Sequence, residues 1–189
     1  MAPTRTHILY VAEFSTGGSI ESLLTLIGGL DKASFEATVL FYNMPDPAVC
    51  ERVESAGAAV MSLYPYTPEK TAPKQFPKYN LQAKIRKTFG RRVEQVYASM
   101  KYALYFLRFR RSIGKALRNK ISEIAPDLVH LNIGVATDTP GIWAARACRV
   151  PAVCHVRDFD KLTYPNVAAS RSVSVFVCIS SAVRKHLIN

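Results

Sequence analysis

The stretch VPAVCHVRDF, Val150 to Phe159, sets an imidazole, a guanidinium and a carboxylate close together: His155, Arg157 and Asp158. Each suits a different task. An imidazole titrates near neutrality and can move a proton. A guanidinium grips phosphate through parallel hydrogen bonds. A carboxylate can hold a hydroxyl. The same side chains also admit a plainer account, with Arg157 and Asp158 as an ion pair within one loop and His155 as a satisfied core group. A second feature is the glycine pair of YVAEFSTGGSIESLL, Gly17 and Gly18, between an apolar run and a helix-like run. Such a pair lets another molecule approach the backbone, and the N–H groups opening the helix favour an anion. The stretch has no G-x-G-x-x-G, and no Lys-Ser or Lys-Thr follows the glycines as a Walker loop requires. A tight turn without a ligand is the competing reading.

Apolar runs and their punctuation position these residues. Strands are expected at His7–Ala12, Glu36–Tyr42, Ala58–Leu63, Asp127–Asn132, Pro151–Val156 and Val173–Ile179. Between them fall an amphipathic helix over Ile20–Leu30 and a helix opening at Pro47, with Asp46 as cap and Gly57 as stop. A helix from Pro140 capped by Thr139 follows, then a final helix capped by Ser180. Strands alternate with helices and are mostly continuous apolar runs, the pattern of an α/β doubly wound parallel sheet, Rossmann-like. Ligands in that architecture bind at the carboxyl ends of the strands. Those ends are Phe14–Gly18, Asn132–Thr137, His155–Asp158 and Ser180. Asn132 and Thr137 either bind hydroxyls or shape turns, and any ligand contact of Ser180 is secondary to its cap. No chemistry is assigned to His7, His130 or His186.

At 189 residues the chain suits one well-buried domain rather than two. The net charge of +11 is local. Between Lys70 and Lys120 stand 15 Lys and Arg against one acid, Glu94, so this segment carries +14 and the rest −3. Such a block points to anionic lipid, nucleic acid or an acidic partner. Nucleic acid is the weakest of these, as no recognition motif is present. Cys50, Cys148, Cys154 and Cys178 form no C-x-x-C and no zinc-ligand spacing, which reads as buried, reduced thiols and a cytoplasmic setting. HILYVA near the N-terminus is too short for a signal-peptide core.

The basic segment has its own pattern. Four prolines between Tyr64 and Asn80 mark a loop, and the run from Leu81 to Pro126 reads as one or two helices broken at Gly90. The whole is an insertion over 64–122. From Val93 to Arg111, the residues Val93, Val96, Tyr97, Met100, Leu104 and Leu107 form a stripe that can dock on the sheet. A second stripe, Tyr102, Tyr105, Phe106 and Phe109, lies beside Arg108, Arg110 and Arg111 and suits a bilayer interface. Its plainer use is contact with another domain or extra core. No run reaches the ~20 apolar residues of a spanning helix.

With these pieces in order, the chain resembles the N-terminal domain of GT-B glycosyltransferases, specifically the retaining family 4. HILYVAEFSTGGSIESLLTLIGGL is similar to that family's opening strand, glycine loop and helix. IAPDLVHLN, VPAVCHVRDF and VFVCISSAVRKHLI resemble its later strand motifs, with Asp158 where a subset carries glutamate. The resemblance implies a nucleotide-sugar donor as substrate, no separate cofactor and no metal. It places Gly17 and Gly18 against the donor diphosphate or the acceptor. It makes His155 and Asp158 the catalytic candidates, with His155 on a donor-sugar or acceptor hydroxyl, Arg157 on a phosphate and Asp158 on an acceptor hydroxyl. The implied acceptor is a glycolipid, polyprenyl-linked glycan or polysaccharide at the inner membrane face.

The family's paired glutamates and diphosphate-binding basic residues lie in a second, C-terminal domain, and these 189 residues hold no counterpart. The resemblance therefore implies a missing half or a partner chain, and inactivity of this chain alone. A reading from another class is a non-enzymatic α/β module that binds an anionic surface or a partner protein. A downstream βα repeat with paired glutamates would favour the enzyme.

Overall fold

A computed structural model describes residues 5–12, 16–64, 80–105, 111–159 and 162–188, with the backbone alone at 80–84, 102, 103 and 105. Six parallel strands form one sheet in the order β3-β2-β1-β4-β5-β6. They are β1 (Thr6–Ala12), β2 (Phe35–Asn43), β3 (Ala59–Tyr64), β4 (Leu128–Leu131), β5 (Ala152–Val156) and β6 (Val175–Cys178). The helices are α1 (Gly18–Gly28), α2 (Pro47–Ser55), α3 (Asn80–Tyr105), α4 (Arg111–Ile124), α5 (Val135–Cys148), α6 (Tyr164–Ser170) and α7 (Ser181–Ile188). The chain has the doubly wound α/β fold expected from its apolar runs.

Strand side chains alternate between two cores. Ile8, Tyr10, Val39 and Phe41 pack with Ile20, Leu23 and Ile27 of α1 and Val53 of α2. Leu9, Val11, Leu40 and Leu131 pack on the other face with Leu117 and Ile121 of α4, Ile142 of α5 and Val183 of α7. Local chemistry starts α2 as expected: Pro47 opens the helix and Asp46 Oδ1 accepts from Ala48 N at 2.9 Å. Ser180 Oγ likewise accepts from Val183 N at 3.2 Å at the head of α7. Of the four cysteines, Cys154 is fully buried, and Cys50, Cys148 and Cys178 are half-buried, less than their apolar neighbourhoods suggest.

Three local expectations are corrected. The helix expected from Pro140 starts earlier, at Val135, and Pro140 lies inside it. Asp138 Oδ2 reaches back to Ile133 N (2.9 Å) and Gly134 N (2.8 Å), which fixes the early start. Thr139 therefore caps nothing; its hydroxyl donates to Val135 O at 2.7 Å. Thr137, placed in a strand-end loop by the sequence, sits in the first turn of α5. Close packing at Gly141 lets α5 lie on β4, since a Cβ there would stand 2.6 Å from Leu131 Cδ2.

The second correction is α6, which the sequence reading omitted. Its start is a capping box of Thr163 and Asn166, and Asn166 Nδ2 donates to Thr139 Oγ1 of α5 at 2.9 Å. The third concerns α3. The break at Gly90 is present, with φ 80° and ψ 176°. The stripe beyond it does not dock on the sheet: Val93, Val96, Met100 and Leu104 are exposed. The core positions on that face are filled by α4, whose Leu117 and Ile121 are fully buried, each worth about 2 kcal/mol. The proline-rich stretch 65–79 lies outside the described residues, as do Phe106, Leu107, Arg108, Phe109 and Arg110.

Candidate functional site

The carboxyl ends of β1, β4 and β5 converge on one polar chain. Asn132, directly after β4, is buried, and its Nδ2 donates to Ser19 O in the first turn of α1 at 3.1 Å. Arg157, directly after β5, donates through Nε to Asn132 O (2.7 Å) and through Nη2 to Asn132 Oδ1 (2.8 Å). The same Nη2 lies 3.2 Å from His155 Nδ1. A guanidinium is a donor with no acceptor, so Nδ1 must accept and the proton of neutral His155 sits on Nε2. Burial, then the Arg157 charge, holds the His155 pKa below its usual range. At neutral pH this imidazole therefore offers an Nε2–H donor; acting as a base through Nε2 would need another tautomer.

Behind it stands His130, to which the sequence reading gave no chemistry. It is 7 % exposed, tilted against Tyr10 (ring centroids 5.0 Å apart) and 5.8 Å from His155. Among the described residues its Nε2 has no hydrogen-bond partner. Burial, with His155 and Arg157 nearby, lowers its pKa to about 4. Burial also raises Tyr10 to about 12. Period-two alternation carries the signal that was overlooked. Leu128, His130 and Asn132 share one face of β4 and its continuation, just as Val153, His155 and Arg157 do on β5. Parallel register aligns Tyr10, His130 and Val153 across three strands.

The His130 burial makes a stability prediction. The native state favours the neutral ring, so its contribution is complete above the usual pKa of 6.5 and is lost as pH falls toward about 4. The loss is on the order of 3 kcal/mol. Thermal midpoints of the parent should fall across that window, and His130→Phe should flatten the fall. Identical pH profiles for the two proteins would contradict this account.

At the head of α1, Gly17 has φ 85° and ψ −175°, and the helix has no side-chain cap. Among the described residues, a Cβ built on Gly17 or Gly18 meets nothing within 4 Å, which leaves space before the helix terminus. Glu21 in the same turn is paired to Arg52 at 2.6 Å, both exposed. The structure thus brings together Gly17, Gly18, Asn132, His155 and Arg157 around three adjacent strand ends.

The remaining candidates stand apart from this chain. Asp158 is exposed and its Oδ1 accepts from Phe159 N at 2.6 Å, while the guanidinium of Arg157 turns to Asn132 and His155. Thr137 is half-buried in α5. Ser180 lies two residues past the edge strand and caps α7. Arg111 opens α4 and is exposed, and Tyr105 is the last residue of α3. No cluster of three or more metal-ligating side chains occurs among the described residues. An open concavity of about 810 Å³ at the amino ends of β5 and β6 carries Arg146, Arg149 and Arg171. These lie at the C-terminal ends of α5 and α6, where cations complement the helix dipole.

No known family profile matches the chain, and no curated protein matches it by sequence. Solved structures do. MurG from Acinetobacter baumannii superposes with a TM-score of 0.50 at 15 % identity, over 93 % of this chain and 41 % of MurG. SsfS6, a glycosyltransferase from Streptomyces sp. SF2575, gives 0.50 at 14 % identity, over 89 % of this chain and 44 % of its own. A UDP-GlcNAc 2-epimerase from Neisseria meningitidis, bound to UDP-GlcNAc, gives 0.53 at 11 %, over 97 % and 43 %. The chain spans about two fifths of each. The likeness is one of fold: a Rossmann-like unit corresponding to half of the GT-B architecture.

Proposed function

We propose that this chain is the N-terminal, acceptor-binding half of a retaining glycosyltransferase of the family 4 kind. It would move a sugar from a nucleotide-sugar to a lipid-linked or polysaccharide acceptor at the inner face of an anionic membrane. Residues 1–189 form one domain in this reading, with the basic segment 64–122 as an insertion. The donor-binding half would be supplied by a further domain or a partner chain. The observation that carries the proposal is the chain from Ser19 through Asn132 and Arg157 to His155, set at adjacent strand ends of half a GT-B fold. That is where an open α/β sheet binds ligands.

The parts have distinct tasks in this reading. The head of α1 and the open space at Gly17 and Gly18 receive an anion, the donor diphosphate or a phosphate of the acceptor. Arg157 supports that charge. His155 donates its Nε2–H to a sugar or acceptor hydroxyl, and Asn132 holds Arg157 in place. Asp158, Thr137 and Ser180 border the cleft, where a hydroxyl-rich acceptor would meet them. The rival of another class is the non-enzymatic α/β module that binds an anionic surface or a partner protein.

Nuclear magnetic resonance on the labelled full chain tests the assignment. Inorganic pyrophosphate should shift the amides of Gly17 and Gly18 and the ring signals of His155. Shifts confined to the Arg146, Arg149 and Arg171 concavity, or no shifts, would overturn it.

A further inference from the structure

The exposed stripe on α3 was not expected, and the proposed function does not absorb it. After the break at Gly90, Val93, Val96, Met100 and Leu104 recur at helical spacing and are 46 % to 62 % exposed. Phe89, just before the break, is 66 % exposed. Tyr97 at the edge of the stripe and Glu94, Ala98 and Ser99 on the other sides are half-buried, and Ser99 Oγ accepts from Tyr164 N of α6 at 3.5 Å. The helix therefore rests on the domain by one side and shows its aliphatic side outward. At about 100° per residue, Arg92 and Lys101 fall on the two flanks of the stripe. Both are exposed. Lys87 and Arg91 extend the basic margin at the N-terminal end, and Arg86 lies 3.6 Å from Glu94.

We infer that α3 lies in the plane of an anionic bilayer, with Val93, Val96, Met100 and Leu104 in the acyl boundary and the flanking cations among the headgroups. The occupant is chosen by charge. The segment 70–120 carries +14, and a surface of dense negative charge complements an aliphatic row edged by cations on both sides. No helix among the described residues is long and apolar enough to cross a membrane. This inference deepens the proposed function by naming the surface that meets the membrane. It shares with that reading the membrane-borne acceptor and rests on it for its purpose, while its test does not depend on sugar transfer. It adds the aliphatic row of α3 to the aromatic set expected at Tyr102, Tyr105, Phe106 and Phe109.

The test uses the purified full chain with vesicles of pure phosphatidylcholine and vesicles about one third phosphatidylglycerol. The parent should partition to the anionic vesicles about tenfold more strongly or better, and salt should weaken this. Arg92→Gln with Lys101→Gln should lower low-salt binding about tenfold and flatten the salt dependence. Serine at Val93, Val96, Met100 and Leu104 should lower the binding that survives high salt about tenfold, since burial of apolar side chains is not screened. These side chains are exposed, so thermal midpoints should match the parent; single Leu104→Ser is the fallback if the fourfold variant unfolds. Equal binding to neutral and anionic vesicles overturns the inference. So does a serine variant that binds like the parent. A parent dimer in light scattering that the serine variant dissolves makes a second copy the occupant and equally overturns it. Vesicle binding without sugar transfer by the assembled protein would leave this inference standing and sink the proposed function.

Discussion

Arg157→Ala is expected to cut sugar transfer by the assembled protein on the order of a hundredfold, with a much smaller effect on folding. The guanidinium performs three tasks at once: it binds Asn132 through O and Oδ1, and it fixes the His155 tautomer through Nδ1. Alanine removes the cation beside Asn132 and frees Nδ1 to carry the proton. The His155 pKa should then rise, because the Arg157 charge is one of the two causes that hold it down. Arg157→Lys restores a charge without the planar fork, so it should recover part of the binding and little of the tautomer control. Steady-state rates and histidine ring titration read these effects separately. Full turnover in Arg157→Ala would leave Arg157 a structural tie between β4 and β5.

Gly18→Val should reduce turnover about tenfold or more while leaving the thermal midpoint nearly unchanged, and Gly17→Val should lower both. Of the pair, Gly17 has the positive φ, and its φ of 85° and ψ of −175° fall in a region reserved for glycine. A side chain there costs about 1–3 kcal/mol. Gly18 is the first residue of α1, and a Cβ on it meets open space. Valine at Gly18 fits the fold and occupies the volume in front of the helix terminus. Comparing unfolding curves with rates for both variants separates a ligand loop from a plain turn. An active Gly18→Val protein would favour the plain turn.

Strands were legible because parallel, doubly covered strands are written as continuous apolar runs, and IAPDLVHLN and VPAVCHV show this plainly. The strand ends then named the neighbourhood of the polar chain. What could not be read was how its members join. Arg157 and Asp158 are adjacent in sequence, which suggested a loop ion pair; the extended backbone sends Arg157 inward to Asn132 and leaves Asp158 at the surface. His130 was passed over because a histidine in an apolar run resembles core, although its period-two relation to Asn132 put it on the cleft face. The start of α5 depended on Asp138 reaching back to two N–H groups, a tertiary detail that Thr139 and Pro140 disguised as a cap. On α3, periodicity identified the stripe, but amphipathicity does not say which surface covers it; burial of Leu117 and Ile121 decided that α4 takes the sheet.

Sugar transfer itself is the most direct measurement. The purified chain, alone and joined to a second α/β domain carrying the donor site, would be given radiolabelled nucleotide-sugars and membrane lipid acceptors. The account predicts no transfer by the chain alone, and transfer with retained anomeric configuration by the assembled protein. Robust transfer by the 189-residue chain alone, or an assembled protein that alters the sugar while it stays on the nucleotide, would contradict it.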